Sequence, residues 1–134
     1  MLIKIPAKEE IKLAVGDEVY LSGELITARD MAHRRLVEEG ASLPLNFNVI
    51  YHSGPLVKKT NGLKILSAGP TSSTRLNSYT RTMAEKFGTR LFIGKGGMDA
   101  ESSRVFKEFG CAYLAFTGGA GVLAAKGIKE VLAV

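Results

Sequence analysis

Two short apolar runs, Leu63 to Ala68 and Leu91 to Ile93, each end in a turn of small residues that opens onto a helix-like pattern. The turns read Gly69-Pro70-Thr71-Ser72-Ser73-Thr74-Arg75 and Gly94-Lys95-Gly96-Gly97. A strand followed by such a turn and a helix start makes an anion cradle, because first-turn N–H groups have no partner inside the helix. After the first turn, Leu76, Tyr79, Met83 and Phe87 are spaced by 3, 4 and 4 residues, and Gly88 follows. That spacing predicts an amphipathic helix. Its first turn carries hydroxyls and no acid, although acids are what the helix dipole favours there. Arg75 lies about one turn in, where the dipole gives it nothing. The segment reads equally as a start kept open for a carboxylate or phosphate, or as a hydroxyl-capped helix with a solvated arginine.

The rest of the chain alternates in the same way. An extended start and a connector reach the Gly16-Asp17 turn, and Val19 to Gly23 reads as a strand. Thr27 is a candidate N-cap with Asp30 as its partner, for a helix from Ala28 that buries Ala28, Met31, Ala32 and Leu36 and stops at Gly40. On that helix Arg29 and His33 share a face at i and i+4. They read either as surface or core residues, or as a cationic pair aimed at the same anion as Arg75. Residues 41–47 form a loop around Pro44, and Asn48 to His52 is a strand. His52 reads as structural, since nothing in the sequence pairs with it. The runs flanking Thr60-Asn61-Gly62 predict a hairpin. Asp99 caps a helix through Phe109 with Val105, Phe106 and Phe109 inward, and Gly110 ends it. Cys111 to Phe116 is a buried strand with Cys111 as inert core, Gly118-Gly119-Ala120-Gly121 leads into a short helix, and Ile128 to Val134 is a closing strand. Strands alternating with helices give an α/β domain, with no internal repeat and no domain boundary.

Composition narrows the function classes. A chain of 134 residues with 46% hydrophobic and 23% charged residues suits one soluble globular domain. No apolar run approaches the roughly 20 residues that cross a bilayer, and the N-terminus lacks a signal-peptide pattern. One cysteine excludes an internal disulfide and suits a reducing cytoplasm. The net charge of +5 is spread along the chain, and aromatics are 7% with no tryptophan. A local small-anion site fits that pattern better than a nucleic-acid surface. The Gly94–Gly97 loop is not a Walker A loop, since the G-x-x-x-x-G-K-[ST] spacing is absent.

Four segments in order carry a family resemblance: Gly16-Asp17-x-Val19-Tyr20-x-Ser22-Gly23, Thr27-Ala28-Arg29-Asp30-x-Ala32-His33, Gly69-Pro70-Thr71-Ser72-x-x-Arg75 and Gly94-Lys95-Gly96-Gly97-Met98. Together they resemble the beta subunit, or C-terminal domain, of the iron–sulfur hydro-lyases, the class I fumarases and L(+)-tartrate dehydratases. The resemblance covers nearly the whole chain. It implies a swivelling β/β/α domain of mixed sheet with helices packed on it, spanning residues 1–134 as one catalytic domain. It also implies reversible addition of water to a C=C bond beside carboxylates, at a four-iron four-sulfur cluster held by a cysteine-bearing alpha subunit, whose open iron acts as Lewis acid. Such clusters take three or four thiolates, so a chain with one cysteine needs a partner to bring them. By motif, Arg29, Arg75 and Lys95 hold the dicarboxylate, Thr71 is the candidate proton-transfer hydroxyl, Ser72 is a neighbouring substrate contact, and His33 belongs to the substrate-binding motif. The implied assembly is a hetero-oligomer with the alpha subunit, or a homodimer when alone. The chain departs from the family at Thr117-Gly118-Gly119, where Pro-Gly-Gly is usual, and stops before the family's C-terminal stretch. A stand-alone phosphate- or carboxylate-binding module, or a non-catalytic assembly subunit, is the competing reading.

Overall fold

A computed structural model describes residues 2–7, 11–41, 45–59, 62–116, 121–129 and 131. At its centre is a parallel four-stranded sheet, ordered β3 (Ile26–Thr27), β4 (Val49–Tyr51), β7 (Leu91–Gly94), β8 (Ala112–Ala115). The two middle strands read as continuous apolar runs because both of their faces are covered. Ile50 and Phe92 pair in register and point to one core, while Val49, Tyr51, Leu91 and Ile93 point to the other. Burying side chains of this size stabilises the fold by roughly 1.5–3 kcal/mol each.

On the first face lie α1 (Asp30–Glu39), a 3-10 helix (Ser73–Tyr79) running into α2 (Thr80–Lys86), and α3 (Ala100–Phe109). The strands follow one another across the sheet in chain order, and crossovers of a single hand then leave every connecting helix on one side. The other face is free for two smaller sheets. These are the parallel pair β1 (Leu2–Ile5) and β2 (Tyr20–Gly23), and the antiparallel hairpin β5 (Leu56–Lys58) and β6 (Lys64–Ser67). α4 (Gly121–Gly127) packs against β6. The layers are thus helical, sheet and sheet, an α/β fold with mixed pairing, and the hairpin is the one that the flanking runs predict.

Several local expectations are corrected. Thr27 is not an N-cap: Ile26 and Thr27 pair with Ile50 and Tyr51, and the Ala28 N–H continues to the Tyr51 carbonyl at 3.0 Å. Extended pairing satisfies more backbone than a cap would, so α1 starts at Asp30 behind Arg29, with no side-chain cap. Ala28, Ala32 and Leu36 face the core as the sequence predicts. Met31 is 73% exposed, and His33, flanked by Ala32 and Leu36, faces the core. The helix expected after Thr71 begins as a 3-10 segment, whose three-residue turn stacks Ser73, Leu76 and Tyr79 in one row. Leu76 and Met83 are buried, as the spacing predicted. β8 is an edge strand and only partly covered, and Cys111 precedes it half-buried. Ile128, Lys129 and Val131 form no strand. Asp99 caps α3 as expected, accepting from the Ser102 N–H at 2.8 Å. The expectations for Pro44, for Thr60-Asn61, for Thr117 to Ala120 and for the last residues, 132–134, lie outside the described residues.

The helical-side core encloses two histidines, His33 and His52, each 1% exposed, with ring centroids 5.4 Å apart. Burial lowers both pKa values, His52 to about 3, where the neighbouring His33 adds to the effect. Both rings are therefore neutral in the fold and protonated in the unfolded chain below about pH 6.5. The unfolded state then binds more protons, so the stabilisation is complete above that pH and is lost as pH falls below it, for His52 down to about 3. Urea midpoints should drop between pH 7 and pH 5, with His52 alone removing roughly 2 kcal/mol. Equal midpoints at the two pH values would show that His52 is not held neutral.

Candidate active site at the carboxyl edge of the parallel sheet

Ligand sites of parallel sheets form beyond the carboxyl ends of the strands, where chain segments leave in different directions. Here the backbone pairing continues past those ends. The His52 N–H donates to the Ile93 carbonyl at 2.7 Å, and the Phe116 N–H to the Gly94 carbonyl at 2.6 Å. The segment arriving from β6 is clasped residue by residue by the end of β4. The Tyr51 hydroxyl donates to the Ala68 carbonyl at 2.5 Å, and burial pushes that phenol up to about 12, which keeps it a donor. The Ser53 hydroxyl donates to the Gly69 carbonyl at 2.9 Å, and the Thr71 N–H donates to the His52 carbonyl at 2.6 Å. Ser72 then forms a parallel bridge with Lys95, and the Ser73 N–H donates to the Lys95 carbonyl at 3.1 Å. Thr71, Ser72 and Lys95, more than 20 positions apart at the extremes, are neighbours at one edge.

Arg29 comes to the same edge from the end of β3. Its guanidinium lies across Gly54, two residues beyond His52, so closely that a Cβ there would stand 2.3 Å from Nε. His33 explains part of this placement. A carbonyl can only accept, so His33 Nδ1 donates to the Arg29 carbonyl at 2.9 Å, beside the helical His33 N–H bond at 3.0 Å. Of the two readings open for Arg29 and His33, the structure gives His33 that of a satisfied core histidine and not that of half a cationic pair. His33 is buried and neutral, and it grips the Arg29 backbone instead of pointing outward with it. Arg75 is exposed and ion-paired to Asp30, which ties the 3-10 helix to the start of α1. Asp30, read from the sequence as a cap partner, thus has a different occupation. Among the described residues, neither Arg29 nor Lys95 has a carboxylate within ion-pair distance.

Three supports of this edge are His52, read from the sequence as structural and found so, and Ser73 and Tyr113, which sequence reasoning missed. His52 Nδ1 lies 2.8 Å from Ser73 Oγ, and the Tyr113 hydroxyl lies 2.9 Å from that same oxygen and 2.9 Å from the Gly96 carbonyl. The one available signal was position, since His52 directly follows a fully apolar strand of a parallel sheet. The described donors build no metal centre here. Among the described residues no three His, Cys, Asp or Glu side chains are grouped to hold a metal ion. Cys111 sits at the opposite, amino end of β8 beside the Thr89 carbonyl, and burial pushes its thiol up. A four-iron four-sulfur cluster takes three or four thiolates, and these residues do not fit it.

The chain matches the family described as Fumarase C-terminus over residues 3–134. It is 40% identical over 131 residues to the L(+)-tartrate dehydratase subunit beta of Escherichia coli (strain K12), covering 95% of this chain and 65% of that one. A Methanocaldococcus jannaschii protein, provisionally named L(+)-tartrate dehydratase subunit beta, is 40% identical over 134 residues, with 96% and 69% covered. A Geobacillus stearothermophilus protein, provisionally named fumarate hydratase class I, is 40% identical over 127 residues, with 92% and 25% covered. The chain spans about two thirds of the length of the tartrate dehydratase subunits and a quarter of the fumarate hydratase. Its match runs through every element that frames the sheet edge, from β1 to α4, and this chain belongs to the Fumarase C-terminus family.

Proposed function

We propose that the chain is the beta-type subunit of a hydro-lyase that adds water to, or removes it from, a dicarboxylate of the fumarate/malate or tartrate kind. The observation that carries this reading is the meeting of Arg29, Thr71, Ser72 and Lys95 at one sheet edge, with two of the cations lacking a carboxylate partner among the described residues. Arginine grips a carboxylate with two parallel N–H bonds, and lysine adds a point charge. Arg75, held by Asp30 in the free chain, offers a third cation when a substrate carboxylate competes for it. Thr71 and Ser72 stand among these groups as hydroxyls. A threonine hydroxyl is a weak base alone, and surrounding cations favour its alkoxide, which makes Thr71 the candidate for the proton step. His33 serves by fixing Arg29. The chain's donors do not suit an iron–sulfur cluster, so the cluster belongs to a cysteine-bearing alpha subunit in this reading, and the working enzyme is a hetero-oligomer in the cytoplasm.

Co-expression with an alpha-type subunit of the same organism, followed by anaerobic assay of malate, fumarate and L(+)-tartrate, tests the proposal. Turnover should require both chains. Arg75→Ala and Lys95→Ala should each lower kcat/KM by an amount equivalent to roughly 2–4 kcal/mol, with urea midpoints unchanged. Near-normal turnover by both variants excludes the assignment. Dicarboxylate binding by the isolated chain, with no turnover in any pairing, would favour the stand-alone module instead. A third variant probes Arg29 without touching it. Gly54→Ala puts a methyl group where the guanidinium lies, and should raise KM roughly tenfold, since small misplacements of a clamp are costly. An unchanged KM in this variant would show that Arg29 does not depend on its seat over Gly54.

A further inference from the structure

Four elements converge on the Ser73 hydroxyl, which the site as described leaves without a role. Ser73 is fully buried at the start of the 3-10 helix. His52 approaches it from the end of β4 and Tyr113 from β8. β7 contributes an absence: a Cβ on Gly94 would stand 1.8 Å from Ser73 Oγ and 3.0 Å from His52 Nδ1. Only glycine at this position lets the hydroxyl enter the sheet edge. The Tyr113 hydroxyl also reaches the carbonyl of Gly96, whose positive φ of 72° turns the chain just after Lys95.

The protons fix a direction. Ser73 and Tyr113 have one hydroxyl proton each, and the Gly96 carbonyl can only accept. If Tyr113 gave its proton to Ser73, the Gly96 carbonyl would lose its tyrosine donor. All three contacts are made only if His52 Nδ1–H donates to Ser73, Ser73 to Tyr113, and Tyr113 to Gly96. A neutral imidazole with its proton on Nδ1 supplies this, in keeping with the depressed pKa of His52. Burial also pushes the Tyr113 phenol up, against the opposing hydrogen bond from Ser73, and keeps it a donor.

We propose that His52, Ser73 and Tyr113 are positioning residues, a directed hydrogen-bond chain that locks the Lys95–Gly96 turn to the Thr71–Ser73 segment and sets where the Lys95 cation stands relative to the Thr71 hydroxyl. The proposal rests on the roles given to Lys95 and Thr71 above. Its anchor is backbone, because the Ser73 N–H already holds the Lys95 carbonyl at 3.1 Å and the chain ends on the next residue's carbonyl. The Lys95 ammonium is exposed and flexible in itself, so restraint has to come from the turn that carries it.

Tyr113→Phe removes the terminal link and keeps the ring that stacks on Phe106 at 6.4 Å. It should raise KM for the dicarboxylate about fivefold or more in the two-subunit enzyme, with kcat within about twofold and the melting temperature unchanged. In the full chain alone, amide exchange at Gly96 and Gly97 should quicken about tenfold, with α3 unaffected. Ser73→Ala should reproduce both changes. A purely structural role would lower the melting temperature and leave KM in place. If Lys95→Ala abolishes turnover while Tyr113→Phe and Ser73→Ala leave KM within twofold, the positioning chain is wrong and the site assignment stands. If Lys95→Ala retains full activity, the site assignment fails, and unchanged exchange at Gly96 and Gly97 in Tyr113→Phe then overturns the tether as well.

Discussion

At the carboxyl end of β4, Tyr51, His52 and Ser53 each hold one point of the chain that returns from the β5–β6 hairpin, at Ala68, Thr71 and Gly69 respectively. The hairpin lies on the far face of the sheet from the helices, so the chain must cross the sheet edge to reach the 3-10 helix. A crossing segment carries main-chain groups that neither a sheet ladder nor a helix satisfies, and burying them unpaired is costly. The residues just past β4 satisfy them. Each such bond is worth only about 0.5–1.5 kcal/mol net. Their larger effect is positional, because they bring Thr71 and Ser72 beside Lys95, and positional error is what a charge clamp tolerates least.

The electrostatics of this edge separate by depth. Outside are cations: Arg29 across Gly54, Lys95 after β7, and Arg75 against Asp30. Exposed ion pairs add little to stability, so the Arg75–Asp30 pair matters for where it holds the guanidinium and not for holding the fold. Beneath lie neutral groups that would be expensive to charge: two histidines, Ser73 and the partly covered Tyr113. The buried layer adds no charge of its own to the anion-binding surface. It fixes geometry by hydrogen bonds with a set direction, and its neutrality follows from desolvation.

The layering explains why such an edge can exist. Strands taken across the sheet in chain order send all their helices to one face, and the second face receives the two small sheets and α4. The carboxyl ends of β4 and β7 therefore lie where both layers stop, and chain from either layer can reach them. Cys111, at the other end of β8, is remote from that edge.

The sequence by itself determined the alternation of strands and helices, the hairpin, the Asp99 cap and the family, because these follow from local periodicity, turn chemistry and contiguous motifs. It also marked Arg29, Thr71, Ser72, Arg75 and Lys95 as residues of interest. Tertiary structure decided the rest. Pairing with β4 drew Thr27 into a strand, which delayed α1, and packing left His33 inside and Met31 outside. Asp30 found Arg75 across 45 positions, and Tyr113 found Ser73 across 40. No period or spacing within one segment encodes such meetings. They arise when separate strands end at the same edge and a glycine such as Gly94 leaves room for a hydroxyl from another element, a complementarity that exists only once the layers have packed.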